Sequence, residues 1–210
     1  MTNEELREVI GGYAPGQAIF MSDLLKDLKE KLGFVNVKSI YVGVNRLVKN
    51  HEINQFMKGV YYKPVQTVMG EVPLDSNLVV EKKYIMSDNN VIGYYTGKMF
   101  INSLGLTTQL PKYYEVVTNN WTGDNGYYID KLNLKVYKPK IEITKENYKY
   151  LQILDVLCMD KDYFEVEDYA KIIFDYINKE GLLIQNIFKY AKLTNNKKAI
   201  LAMYEMGGLL

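Results

Sequence analysis

Residues 21–64 constrain this chain most, because apolar side chains recur at helical spacing twice across a tight turn and then give way to two short β-prone runs around a glycine. Ser22 is placed to cap the first helix, Leu24, Leu25, Leu28 and Leu32 form its apolar stripe, and Gly33 supplies its stop. After a turn over residues 33–36, a second helix is expected over residues 37–49. It would bury Val37, Ile40, Val44, Leu47 and Val48 and leave Lys38, Tyr41, Asn45, Arg46 and Lys49 on or beside the opposite face. Residues 52–56 and 60–63 then read as the strands of a hairpin turned by Met57, Lys58 and Gly59, where the glycine can take a positive φ. Helix, turn, helix and two-stranded wing is the order that a winged helix needs.

Charge is concentrated on the same stretch. Residues 36–64 hold five cations, Lys38, Arg46, Lys49, Lys58 and Lys63, against the single anion Glu52, whereas the whole chain carries a net charge of only +1. Cations gathered on a second helix and wing are the expected electrostatic footprint of phosphate contacts, and the nearly neutral remainder argues against a polyanion-coating protein. The DNA-binding candidates are therefore Lys38, Ser39, Tyr41, Asn45, Arg46 and Lys49 on the helix, with Lys58, Tyr62 and Lys63 on the wing. The competing reading is a winged helix used for protein contacts. Arg46 is conspicuous because 24 lysines stand against two arginines, so a planar guanidinium fork has a reason to be there. Its structural alternative is a salt bridge to Glu52.

Around this core, Thr2 or Asn3 can cap a first helix whose face is Leu6, Val9, Ile10 and Tyr13, and residues 18–20 read as a strand. A winged-helix domain over residues 1–64 results. Residues 65–76, with Gly70 and Pro73, read as a connector, followed by a helix over 77–86 capped by Ser76. A second domain, 65–210, then carries a strand at Val91 and Ile92, a helix over 97–104, a polar loop over 105–111, and strands over 113–118, 126–130 and 133–138. Four helices close it, one from Thr144 and three over 166–178, 182–193 and 197–206, the last ending at Gly207 and Gly208. The fold class expected is α+β: an N-terminal winged helix-turn-helix and a mixed α/β domain ending in a helical bundle. Residues 155–168 contain six acids and one lysine and read as a solvated surface.

Catalytic patterns are not assembled. Residues 93–99 contain glycines but place methionine after Lys98 where a P-loop needs serine or threonine. Asp160 and Asp162 lack the upstream glycine-serine pair of a nucleotidyltransferase. His51 is the only histidine and reads as a helix-to-wing junction, and Cys158, the only cysteine, reads as buried packing, so no disulfide, zinc site or histidine-centred triad is available. No cofactor or enzyme activity is expected. The charged N-terminus lacks an apolar signal segment and no run approaches a membrane span, which leads us to expect a cytoplasmic protein without membrane contact.

As a set, these segments resemble the antitoxins of the AbiE abortive-infection class, in type IV toxin-antitoxin systems. Residues 45–64, NRLVKNHEINQFMKGVYYKP, are similar to that family's second helix running into a wing that ends in glycine, aromatics and proline. More specific is VIGYYTGKMFINSLGLTTQLPKYYEVVT, residues 91–118, and within it LGLTTQLP, residues 104–111. ITKENYKYLQILDVL and the terminal KYAKLTNNKKAILAMYEMGGLL resemble the closing helices, with Tyr204–Met206 departing from a leucine-glycine ending. The resemblance implies two roles: repression of the protein's own operon by binding inverted repeats of double-stranded promoter DNA, and antagonism of a cognate nucleotidyltransferase-like toxin by the C-terminal domain. A stand-alone winged-helix regulator is the alternative.

Overall fold

Leu6 and Ile10, one helical turn apart, face inward from α1 (Asn3–Gly11), the first element of a computed structural model that describes residues 3–207. The expected caps of this helix, Thr2 and the Asn3 side chain, lie outside what is described. Strand β1 (Ala18–Phe20) then runs without an intervening loop into α2 (Met21–Leu32). Ser22 therefore lies inside the helix and does not cap it. The N-terminal amide of Met21 instead donates to the carbonyl of Gly59 at 2.9 Å, so a tertiary contact supplies what a capping side chain would. Gly33, at φ 75°, stops α2 as expected, and its amide returns to the Lys29 carbonyl.

Helix α3 (Val37–Lys49) is capped by Asn36, whose side chain accepts from the Ser39 amide at 3.2 Å. Ile40, Val44 and Leu47 join Leu6, Leu24 and Leu28 in the core of this unit. Val37 is 47% exposed and Val48 half-buried, against the expectation that both are buried. Both sit at the edge of a buried stripe centred on Ile40, Gly43, Val44 and Leu47. Strands β2 (Asn54–Met57) and β3 (Val60–Tyr62) form a hairpin around Lys58 and Gly59, with Gly59 at φ 78°, and the antiparallel sheet has the order β1-β3-β2.

Residues 65–76 are not a bare connector. They form a second hairpin, β4 (Val65–Thr67) with β5 (Gly70–Val72), and Glu71 accepts hydrogen bonds from Asn54 and from the Tyr62 hydroxyl. That link makes the hairpin part of the first unit, which spans Met1–Val79, with the second at Val80–Leu210; the division thus falls after the expected one at residue 64. Asp75 accepts from the Asn77 amide at 2.9 Å, at the start of α4 (Ser76–Val80), in place of the expected Ser76 cap.

In the second unit the helix expected over 77–86 widens into a π-helical turn, Glu81–Ile85, and Met86 leaves it for strand β6 (Met86–Ser87), paired with β7 (Asn90–Val91). A four-stranded sheet follows: β8 (Gly93–Thr96), then α5 (Gly97–Ser103), then β9 (Tyr114–Thr118), β10 (Tyr127–Ile129) and β11 (Leu134–Tyr137), in the spatial order β10-β11-β9-β8. Its one parallel pair is β11 with β9. Helix α6 (Tyr148–Leu157) is buried almost all round, as its nearly continuous apolar sequence requires, and Gln152 donates to the Tyr95 carbonyl of β8 at 2.7 Å. Helices α7 (Tyr169–Lys179), α8 (Ile184–Leu193) and α9 (Lys197–Gly207) complete the core around it; the helix end expected at Gly208 lies outside the described residues. Among the described residues no helix is long and apolar enough to cross a membrane.

The π-turn explains Gly93. A Cβ there would sit 1.9 Å from the Tyr84 carbonyl oxygen and 2.8 Å from that of Val117, both backbone atoms that cannot swing away. We expect Gly93→Ala to destabilise the second unit by about 1–3 kcal/mol or more in urea denaturation. Wild-type stability would show that the turn relaxes freely.

Candidate functional site

The candidate residues on α3 share one surface. Lys38, Ser39, Tyr41, Asn45, Arg46 and Lys49 are all exposed, opposite the buried stripe of the helix. Lys38, Val42, Asn45 and Lys49, spaced at i, i+4, i+7 and i+11, run along the centre of that surface. Val42, 50% exposed, belongs to this surface although it is not among the expected contacts; its angular position opposite the buried stripe is the signal that places it there. Phe34, 84% exposed, stands in the turn before the helix.

The hairpin candidates divide. Lys58 is exposed in the turn of β2–β3. Tyr62 is buried in the sheet, with its hydroxyl engaged by Asn54 and Glu71. Lys63 donates to the Gly11 carbonyl at 2.9 Å, an intramolecular tie from the sheet to the end of α1. Tyr62 is thus withdrawn from the outer surface by packing, and Lys63, half-buried, is engaged by a backbone carbonyl; a local reading of the strand sees neither.

Glu52, the only anion in the basic stretch, does not pair with Arg46. Arg7 of α1 takes it in a bidentate fork, with Nε and Nη2 at 2.8 and 2.7 Å, and the guanidinium holds the carboxyl down at about 2. Among the described residues Arg46 has no carboxylate partner. His51 occupies the left-handed conformation, φ 57°, at the junction between α3 and the hairpin.

In the second unit the loop LGLTTQLP is tied to Glu165 by hydrogen bonds at the surface. The Glu165 carboxylate accepts from the Thr108 amide at 2.7 Å, the Thr108 hydroxyl at 2.8 Å and the Gln109 side chain at 2.8 Å, and chiefly the amide keeps its pKa down at about 2. Lys98 reaches Gln109 at 3.1 Å and Asn102 the Thr107 carbonyl at 3.0 Å, while Leu110 is left 84% exposed.

Asp155 corrects the reading of residues 155–168 as solvated surface. It projects from α6 into a cavity of about 330 Å³, where the hydroxyls of Tyr94 and Thr96 donate to its Oδ2 at 3.1 and 2.9 Å. Burial outweighs those hydrogen bonds and pushes its pKa up to about 6. Glu115, from β9, lines the same cavity and accepts from the Tyr137 hydroxyl at 2.7 Å. Its Oε2 lies where a Cβ on Gly97 would come within 2.0 Å, so a larger residue there would displace the Glu115 carboxylate, and the φ of +65° at Gly97 favours glycine in its own right. Cys158, half-buried rather than fully packed, donates its thiol to Asn196 at 2.8 Å. Among the described residues no three His, Cys, Asp or Glu side chains gather as a metal site.

No protein-family model matches the chain, and no curated protein sequence matches it.

Because Asp155 keeps its proton to about pH 6 in the folded protein, against an ordinary value of 3.8, its contribution to stability is fully present below pH 3.8 and is lost as pH rises through 6. The whole swing is about 3 kcal/mol. Glu52 and Glu165, held at about 2, contribute in the opposite sense, and their contribution falls away only as pH drops below 4.5. We therefore expect denaturant midpoints to decline between pH 4.5 and 6.5 in the wild type and to flatten in Asp155→Asn; an unchanged slope in the variant would assign the decline elsewhere.

Proposed function

We propose that the protein is a DNA-binding antitoxin of the type IV, abortive-infection kind, acting in the cytoplasm. The first unit acts as a winged helix that represses the protein's own operon, and the second antagonises a cognate nucleotidyltransferase-like toxin. In this reading the chain binds and does not catalyse. The observation that carries the DNA half is the exposed stripe of α3, where Lys38, Asn45, Arg46 and Lys49 lie together while Glu52 is neutralised by Arg7. An α-helix fits the major groove, Arg and Asn are the side chains that read guanine and adenine edges there, and Val42 offers a surface to thymine methyl groups. Lys58, at the hairpin turn, is placed to meet backbone phosphate. The antitoxin half is supported by the resemblance of LGLTTQLP and the closing helices.

Salt dependence separates the cations. Lys58→Ala should weaken binding on all sequences alike and lower the slope of log K against log salt by about one, whereas Lys63→Ala should leave the slope alone and cost stability through the lost Gly11 tie. Equal slopes for wild type and Lys58→Ala would remove the hairpin from the interface.

Arg46→Lys should fold normally and lose about 1–3 kcal/mol of base discrimination on the promoter repeats. Full-length protein carrying Lys38→Ala and Arg46→Ala should lose repression yet still rescue growth from the toxin encoded beside it. Loss of rescue in that variant would overturn the division of labour, and absence of rescue by the wild type would make the stand-alone regulator the better reading.

A further inference from the structure

We propose that the cavity between β8, β9 and α6 binds a small organic cation, a primary amine or guanidinium on an apolar body, with its charged head between Glu115 and Asp155. The cavity's size falls in the range of small-molecule sites, and its lining has the usual mixture of an apolar wall with a few convergent polar groups. Val117, Leu151, Leu154 and Pro139 supply the wall. The two carboxylates come from different elements, β9 and α6, and each is oriented by hydroxyls: Tyr137 for Glu115, Tyr94 and Thr96 for Asp155.

Those hydroxyls donate and so occupy only part of the carboxylates' acceptor capacity. Asp155 Oδ1 takes no hydrogen bond from any described residue. Two lysines, Lys138 and Lys140, line the same cavity, and Lys140 is near enough to pull the Asp155 pKa downward, but neither donates a hydrogen bond to Asp155 or Glu115. Lys138 turns to Asp124 at 3.2 Å, and Lys140 is exposed. Besides burial, the groups acting on Asp155 are Thr96, Tyr94, Lys140 and Glu115. Two carboxylates facing one cavity repel each other, and a ligand cation between them replaces that repulsion with two charge-assisted hydrogen bonds.

The site lies wholly within the second unit, so its test is independent of operator binding. A matched series carries one body with three heads: phenethylamine, 2-phenylethanol and phenylacetate, titrated calorimetrically into the full-length protein at pH 7.5. Phenethylamine should bind saturably and at least tenfold more tightly than either counterpart. Its affinity should fall about tenfold at pH 5, where roughly one Asp155 in ten is ionised. Asp155→Asn and Glu115→Gln should each weaken it tenfold or more, whereas Asp160→Asn, outside the cavity, should not. Absent or unsaturable binding of the amine, equal or tighter binding of phenylacetate, or the same amine affinity at both pH values overturns the proposal, as does undiminished affinity in a folded Asp155→Asn.

Discussion

Burial of a single stripe of α3 sets the geometry of everything on the outer face of the first unit. Ile40 and Val44 are fully buried and Leu47 nearly so, each worth about 1.5–3 kcal/mol of apolar transfer, whereas an exposed ion pair contributes about 0–1 kcal/mol. The apolar term therefore fixes the rotation of the helix, and the 3.6-residue period carries Lys38, Asn45 and Lys49 outward as a consequence. The exposed cations need no interaction of their own to be aligned. Their alignment is inherited from the core.

Electrostatics refine that surface without creating it. A net charge counted along the sequence treats Glu52 as an offset to the basic stretch and Lys63 as part of it. In space Glu52 is held by Arg7 and Lys63 by a backbone carbonyl, leaving Lys38, Arg46, Lys49 and Lys58 as the cations presented to solvent. For an interface built on phosphate contacts it is this outward set, rather than the local sum, that sets the field.

The second unit depends on a different constraint, a central helix with almost no solvent face. Helix α6 buries Tyr150, Leu151, Ile153, Leu154, Val156 and Leu157, with Gln152 buried among them and Asp155 half-buried beside them. Gln152 has a backbone partner. Asp155 opens on a cavity, and burial raises its pKa to about 6. A costly side chain that breaks the pattern of its own helix, facing the same cavity as a second carboxylate and a glycine at positive φ, is the kind of local inconsistency that functional sites leave in an otherwise consistent fold.

Periodicity and turn chemistry were enough to place the helices and strands they determine: α3 over residues 37–49, β1 over 18–20, the hairpin turn at Gly59, and the alternation of strands and helices that makes the chain α+β. Each depends on spacing within a dozen residues, and the exposure of the α3 candidates follows from the same spacing. Tertiary structure alone decided what depends on partners far along the chain. Met21 is capped by Gly59, Glu52 belongs to Arg7, Tyr62 is buried, residues 65–72 pair as a hairpin tied to Asn54, and Asp155 leaves the acidic surface for a cavity shared with Glu115. The reason is physical. A helix period is a property of neighbours in sequence, whereas a cap, an ion pair or a buried carboxylate is satisfied by whichever group the packed core brings within hydrogen-bonding distance.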